Sequence, residues 1–152
     1  VDYIRSQGIP AGVGAHSLKT LEASVKAGIK PDFYFKTFHH DRYWSATPPE
    51  YRTDYTDYPA TPITDRNKWN DNMWDQFCDQ TIEFFKSIDV PFFGFKVLAA
   101  GAISPADGIR WAFENGADFV CLGMYDFQII EDVNTTIKIL AGLGKRERVW
   151  YA

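Results

Sequence analysis

Phe95-Lys-Val-Leu-Ala-Ala-Gly101, Ser104-Pro-Ala-Asp-Gly-Ile-Arg-Trp-Ala-Phe-Glu-Asn-Gly116 and Ala117-Asp-Phe-Val-Cys-Leu-Gly-Met124 follow one another in the last third of the chain. The first is an apolar run that ends in a Gly-containing loop. The second opens with Ser104, an N-cap residue, and has Pro105 at the first helical position, where its missing N–H is no loss. Ile109, Ala112 and Phe113 then recur at helical spacing, and Gly116 stops the helix. The third is again a short apolar run. The segment therefore reads strand, helix, strand, with every boundary marked.

The same unit recurs toward the N-terminus. Residues 1–7 read as the tail of a helix closed by Gly8. Residues 11–16 are small and apolar, a buried strand. Ser17 caps a helix over residues 18–27 that carries Leu18, Leu21 and Val25 on one face, and Gly28 ends it. Residues 32–38, rich in Phe and Tyr, form a second strand. Trp74, Phe77, Cys78, Thr81, Ile82, Phe85 and Ile88 follow a helical stripe that Pro91 breaks. Residues 92–100 form a third strand, residues 119–124 a fourth, and residues 132–143 a last helix with Val133, Ile137 and Leu140 apolar. Between them, residues 40–72 carry Pro48, Pro49, Pro59 and Pro62 and no sustained period. This is a long loop of the kind that is usually a functional lid or disordered.

About four alternating βα units imply an α/β fold with parallel strands. Two architectures accommodate them. One is the C-terminal half of a (β/α)8 barrel, whose full form needs about 250 residues. The other is an open doubly wound sheet, which fits in about 150. No strand is followed by a G-x-G-x-x-G turn, and Gly12-Val-Gly14 lies inside the first strand, so the half-barrel is favoured. Residues 1–152 form one domain in either case.

Composition narrows the function classes. The chain has 152 residues, 45% hydrophobic, and a net charge of −4. No basic block is present to neutralise phosphates, so nucleic acid and anionic membranes are not expected partners. No run approaches the roughly 18 apolar residues of a membrane span. Two cysteines, Cys78 and Cys121, both on apolar stretches, read as buried thiols rather than a disulfide framework. A reducing, cytoplasmic setting and a small-molecule substrate are the expectation.

In both architectures ligands meet the carboxyl ends of the strands. Those ends carry His16 and Ser17, then His39, His40 and Asp41, then residues 96–101, then Met124, Tyr125 and Asp126. All three histidines of the chain fall there. His16 reads either as a rim group touching a ligand or as a histidine bonding its own loop. His39, His40 and Asp41 are the catalytic candidates: one histidine facing the mouth would serve as general acid or base. A metal held by His16, one of His39 or His40, and Asp126 is the weaker reading, since no H-x-H or H-E-x-x-H spacing supports it. Lys96, inside an apolar strand, needs a carboxylate partner or a ligand. Ala100 and Gly101, before the Ser104 cap, offer N–H groups near a helix N-terminus, and Gly123 sits in the neighbouring loop. Together they suit a phosphate. Tyr43, Trp44, Tyr51, Tyr55, Tyr58 and Trp69 would wall a substrate or pack a lid.

Ile9-Pro-Ala-Gly-Val-Gly-Ala-His-Ser17, Phe95-Lys-Val-Leu-Ala-Ala-Gly101, and Gly108-Ile-Arg-Trp-Ala-Phe-Glu-Asn with Val120-Cys-Leu-Gly-Met124 resemble motifs in the C-terminal half of the aldo-keto reductase barrel. The likeness spans most of the chain outside residues 40–75. It implies NAD(P)H-dependent carbonyl reduction, with His16 and Ser17 near the nicotinamide and Lys96, Ala100, Gly101 and Gly123 along the phosphates. It also implies that the catalytic Asp, Tyr, Lys and His group belongs to an N-terminal half this chain lacks. The chain departs from the family at Gly14, which replaces a serine. It also has Tyr125 and Asp126 where many members carry a basic or hydroxyl group for the adenosine 2′-phosphate, and Gln128 where an acidic residue meets adenine. Two other readings stand beside this one. One is a barrel lyase or isomerase acting on a phosphorylated or sugar-like substrate, the other a non-catalytic ligand-binding descendant. An oligomer or a missing half completes the list of expected partners.

Overall fold

The computed structural model describes residues 1–52 and 74–151. Four strands, β1 (Gly12–Ala15), β2 (Phe33–Thr37), β3 (Phe92–Phe95) and β4 (Phe119–Cys121), form one parallel sheet in the order β1-β2-β3-β4. Among the described residues five α-helices accompany them: α1 (Asp2–Arg5), α2 (Leu18–Lys26), α3 (Cys78–Lys86), α4 (Pro105–Glu114) and α5 (Ile129–Ala141). The alternating α/β reading holds. Ser17 and Ser104 cap α2 and α4 as their sequence positions predict, each oxygen accepting a backbone N–H of the first turn.

The register separates the two faces of the sheet. Tyr34 pairs with Phe92, and Lys36 with Gly94, which in turn pairs with Val120. These residues share one face. Tyr34 and Phe92 lie in the core with Leu21 of α2, Phe85 of α3 and Ala112 of α4. Val120 packs with Ile109, Phe113 and Ile139 of α5. Helices α2 to α5 therefore all cover the same face. A doubly wound sheet places helices on both faces and reverses its strand order; this sheet does neither.

The opposite face carries Phe33, Phe35, Phe93, Phe95 and Phe119. Phe35 stacks on Phe95 at 4.8 Å between centroids and Phe93 on Phe119 at 4.5 Å. These rings stay half-exposed, and Phe119 is 39% exposed. Gly12 makes room for this layer: a Cβ there would collide with the Phe33 ring. The glycines of β1 are thus steric, in keeping with the absence of a nucleotide fingerprint.

Several boundaries differ from the sequence reading. The third strand stops at Phe95 rather than at residue 100, because Lys96 turns into the left-handed region with φ of 56°. Lys96 is therefore a loop residue, not a strand residue. Trp74 and Phe77 precede α3, which starts at Cys78. The last helix begins at Ile129, and its buried residues are Asp132 and Ile139, whereas Val133, Ile137 and Leu140 are exposed. Cys78 is buried as expected, but Cys121 is exposed, since it falls on the phenylalanine face of an edge strand. Of the long loop, residues 49–51 form a short 3-10 turn. Tyr55, Tyr58 and Trp69 lie outside the described residues.

One ionic cluster holds the amino ends of the strands. Asp118 precedes β4, donates its own N–H to Phe92 O at 2.8 Å, and accepts the Phe92 N–H at 2.9 Å. Its second partners are Arg146 at 3.3 Å and Arg148 at 2.6 Å, all three side chains being nearly fully buried. The two guanidiniums are also satisfied by main-chain carbonyls, Arg146 by Gly116 and Ala117 and Arg148 by Phe85, Gly116 and Val90. Asp32, before β2, repeats the device at the surface, accepting the Ala11 N–H at 2.7 Å and Arg5 at 2.7 Å.

Removing one member of a buried pair strands the other charge, which costs about 3–5 kcal/mol. Asp118→Ala is expected to lose that much unfolding free energy in urea titrations. Asp32→Ala, at an exposed pair, loses far less.

Candidate functional site

The carboxyl ends of β1, β2 and β3 open on one rim. His16 follows β1, and its Nδ1 meets Thr37 Oγ1 at 2.7 Å while its ring lies 5.2 Å from that of Phe95. Three strands thus converge on this histidine. The Thr37 contact ties the end of β1 to the end of β2. Ser17 beside it is the α2 cap, its oxygen accepting the Lys19 N–H.

His39 and His40 are buried, and backbone groups hold both. His39 Nδ1 faces His40 O at 2.9 Å, and its Nε2 accepts the Asp75 N–H at 3.0 Å. A carbonyl can only accept, so Nδ1 carries the proton and the ring is neutral. Burial, aided by nearby Lys36, holds the His39 pKa down to about 4. His40 accepts the Arg42 N–H at Nδ1 and presents Nε2 to Asp107 on α4 at 3.1 Å. Asp41 pairs with Arg52 at 2.7 Å. In this arrangement the two histidines join β2 to the segment before α3 and to α4, and neither ring nitrogen of His39 is left to exchange a proton with a substrate.

The loop after β3 is strained. Lys96, Ala99 and Ala100 adopt φ of 56°, 44° and 56°, all left-handed, and Gly101 follows at 87°. A left-handed non-glycine residue costs roughly 1–2 kcal/mol, and such residues gather at ligand loops. The turn is held by the Ala99 N–H to Lys96 O at 2.9 Å and the Gly101 N–H to Leu98 O at 2.8 Å. The Gly101 donor, which the sequence offered to a ligand, is thus used within the loop. Helix α4 presses against it, because a Cβ at Gly108 would overlap Val97 O. Lys96 Nζ sits 4.7 Å above the Trp74 ring. Gly123 lies past the end of β4, with open space around its Cα.

A second set of polar groups was missed by the sequence reading. Lys36 points to the helix face and is 1% exposed. Its ammonium donates to Thr37 O at 2.7 Å and lies 3.4 Å from Asp75 Oδ1. Asp75 also accepts the Thr81 hydroxyl at 2.9 Å. Burial pushes the Lys36 pKa down and the Asp75 pKa up, toward neutral amine and neutral acid. The same burial, with Asp75 near, pushes Cys78 up to about 12, so it is an unreactive thiol. A lysine inside an aromatic strand was the available signal; its partner, 39 residues away, had none.

Among the described residues no cluster of His, Cys, Asp and Glu could hold a metal, and no helix is long and apolar enough to cross a membrane. No protein-family model, curated protein or solved structure matches the chain.

The His39 environment has a pH signature. The unfolded ring takes up its proton near pH 6.5, the folded ring only near 4. The unfolded chain therefore binds more protons in that window, and stability is full above 6.5 and falls as the pH drops through it. The fall is worth about 3 kcal/mol. Urea titrations from pH 7 to 4 are expected to show this loss in the parent chain and a flatter profile in His39→Gln.

Proposed function

We propose that this chain is the cofactor-side half of a (β/α)8 barrel of the aldo-keto reductase kind, acting in nicotinamide-dependent carbonyl reduction. The observation that carries the reading is the strand order β1-β2-β3-β4 with α2 to α5 on one face and a phenylalanine layer on the other. Parallel sheets are normally covered on both faces. In a barrel the layer is the interior, and the remaining strands cover it.

The rim supports a cofactor on the β3 side. The strained turn at Lys96, Ala99, Ala100 and Gly101 fixes its backbone before a ligand arrives, which lowers the ordering cost of binding. Lys96 supplies a cation for a phosphate, and His16, next to Phe95, stands where a nicotinamide ring would lie. Gly123 leaves room on the β4 side. The residues after β4 are Tyr125 and Asp126, with Gln128 bonded to the Tyr125 N–H. An acidic, aromatic turn gives a 2′-phosphate no clamp, so the favoured cofactor is NADH rather than NADPH. Substrate proton transfer belongs to the half of the barrel that would complete this one.

Trp74, beneath Lys96, is a built-in reporter. Titration with NADH is expected to quench tryptophan fluorescence below millimolar concentration, with NADPH weaker. Lys96→Gln should weaken NADH by roughly tenfold through loss of one charge-assisted bond. No quenching at millimolar NADH sinks the reading.

A further inference from the structure

The Lys36–Asp75 pair lies in a cleft between the N-termini of α2 and α3, beside the β3 loop, whose Lys96 covers the Trp74 ring of its lining. The cleft opens to solvent and is lined by His16, Ser17, Lys36, Trp74, Asp75 and Gln80 among others. Its polar groups are not closed among themselves. Asp75 Oδ2 is buried without a hydrogen-bond partner. The Lys36 ammonium has one short bond, to Thr37 O, and one long one, at 3.4 Å. A buried acceptor without a donor is costly enough that native proteins rarely keep one without a use. Lys36 and Thr81 both meet Oδ1, and neither meets Oδ2.

We propose that Lys36 is a nucleophilic amine that condenses with a small aldehyde or ketone entering this cleft, with Asp75 carrying the protons. Nothing in this depends on a nicotinamide cofactor. Desolvation keeps the amine uncharged at a lower pH than a surface lysine, the condition for attack on a carbonyl. The nitrogen adds to the carbonyl carbon, and the C=O π pair moves to oxygen, which takes the proton of the Asp75 carboxyl. The carboxylate then removes a proton from the nitrogen, leaving a neutral carbinolamine. In the second step Asp75 protonates the hydroxyl, water leaves, and the nitrogen lone pair forms the C=N bond. The product is a protonated imine opposite the Asp75 carboxylate, with one water released and no change of oxidation state. Thr81 positions Asp75 by donating to Oδ1. It is a positioning residue.

The test is reductive trapping on the full chain, with glycolaldehyde and pyruvate as probes and sodium cyanoborohydride as reductant, read by intact mass and peptide mapping. The expected result is one adduct, at Lys36, whose rate reaches half its maximum at a pH below that of the exposed Lys26 and Lys30. Asp75→Asn is expected to slow that adduct at least tenfold with an unchanged circular dichroism spectrum. Should that variant misfold, Thr81→Val, which keeps the carboxyl, is expected to show the same slowing in milder form. Label spread over exposed lysines with Lys36 unmodified in the folded parent chain overturns the proposal. So does labelling of Lys36 at the rate and pH profile of Lys26.

Discussion

The buried Asp118 is the constraint on which the rest of the sheet depends. A carboxylate removed from water is tolerated only with full compensation, and here four residues supply it. Phe92 gives a main-chain N–H at the start of β3, Arg146 and Arg148 give charge from the C-terminal segment, and Tyr151 gives a further N–H at 3.1 Å. The guanidiniums in turn bind carbonyls at the end of α3 and α4. The register of β3 against β4 and the seat of α3 are therefore set at one point. Arg146 over Trp150 at 3.7 Å and Arg148 over Tyr151 at 4.5 Å close the cluster with cation–π contacts.

The two ends of the sheet are built on opposite principles. At the amino end polar groups are paired and satisfied, and the Asp118 device recurs in simpler form at Asp32. At the carboxyl end the chain holds left-handed alanines, an open carboxylate oxygen and a buried lysine. Each of these costs stability, and the amino-end cluster and the Phe85–Phe92 core are what offset them. The broken local rules are gathered at the carboxyl end of the sheet. His39 and His40 fit this division differently from His16. They stand at the strand ends, yet their rings act as buried crosslinks between backbone segments.

Much of the fold was legible. Caps at Ser17 and Ser104, stops at Gly8, Gly28 and Gly116, and the apolar runs marked the βα units because these signals are local. The strand ends were less so. Residues 97–100 are apolar and continue the strand pattern, but the turn at Lys96 follows from α4 packing against Val97 O through Gly108, a contact no local pattern reveals. Val133, Ile137 and Leu140 kept helical spacing but faced solvent, because spacing defines a stripe without saying what lies against it.

The sequence alone determined that this chain alternates strand and helix and that its histidines stand at the carboxyl ends of strands. Those conclusions rest on backbone propensity, capping and periodicity, which act over a few residues. Only the tertiary structure decided that every long helix covers one face, that Cys121 is exposed, and that Lys36 meets Asp75 across 39 positions. These depend on register and on which surfaces are removed from water. Pairings of that kind are energies between distant segments, and no window of sequence contains both partners.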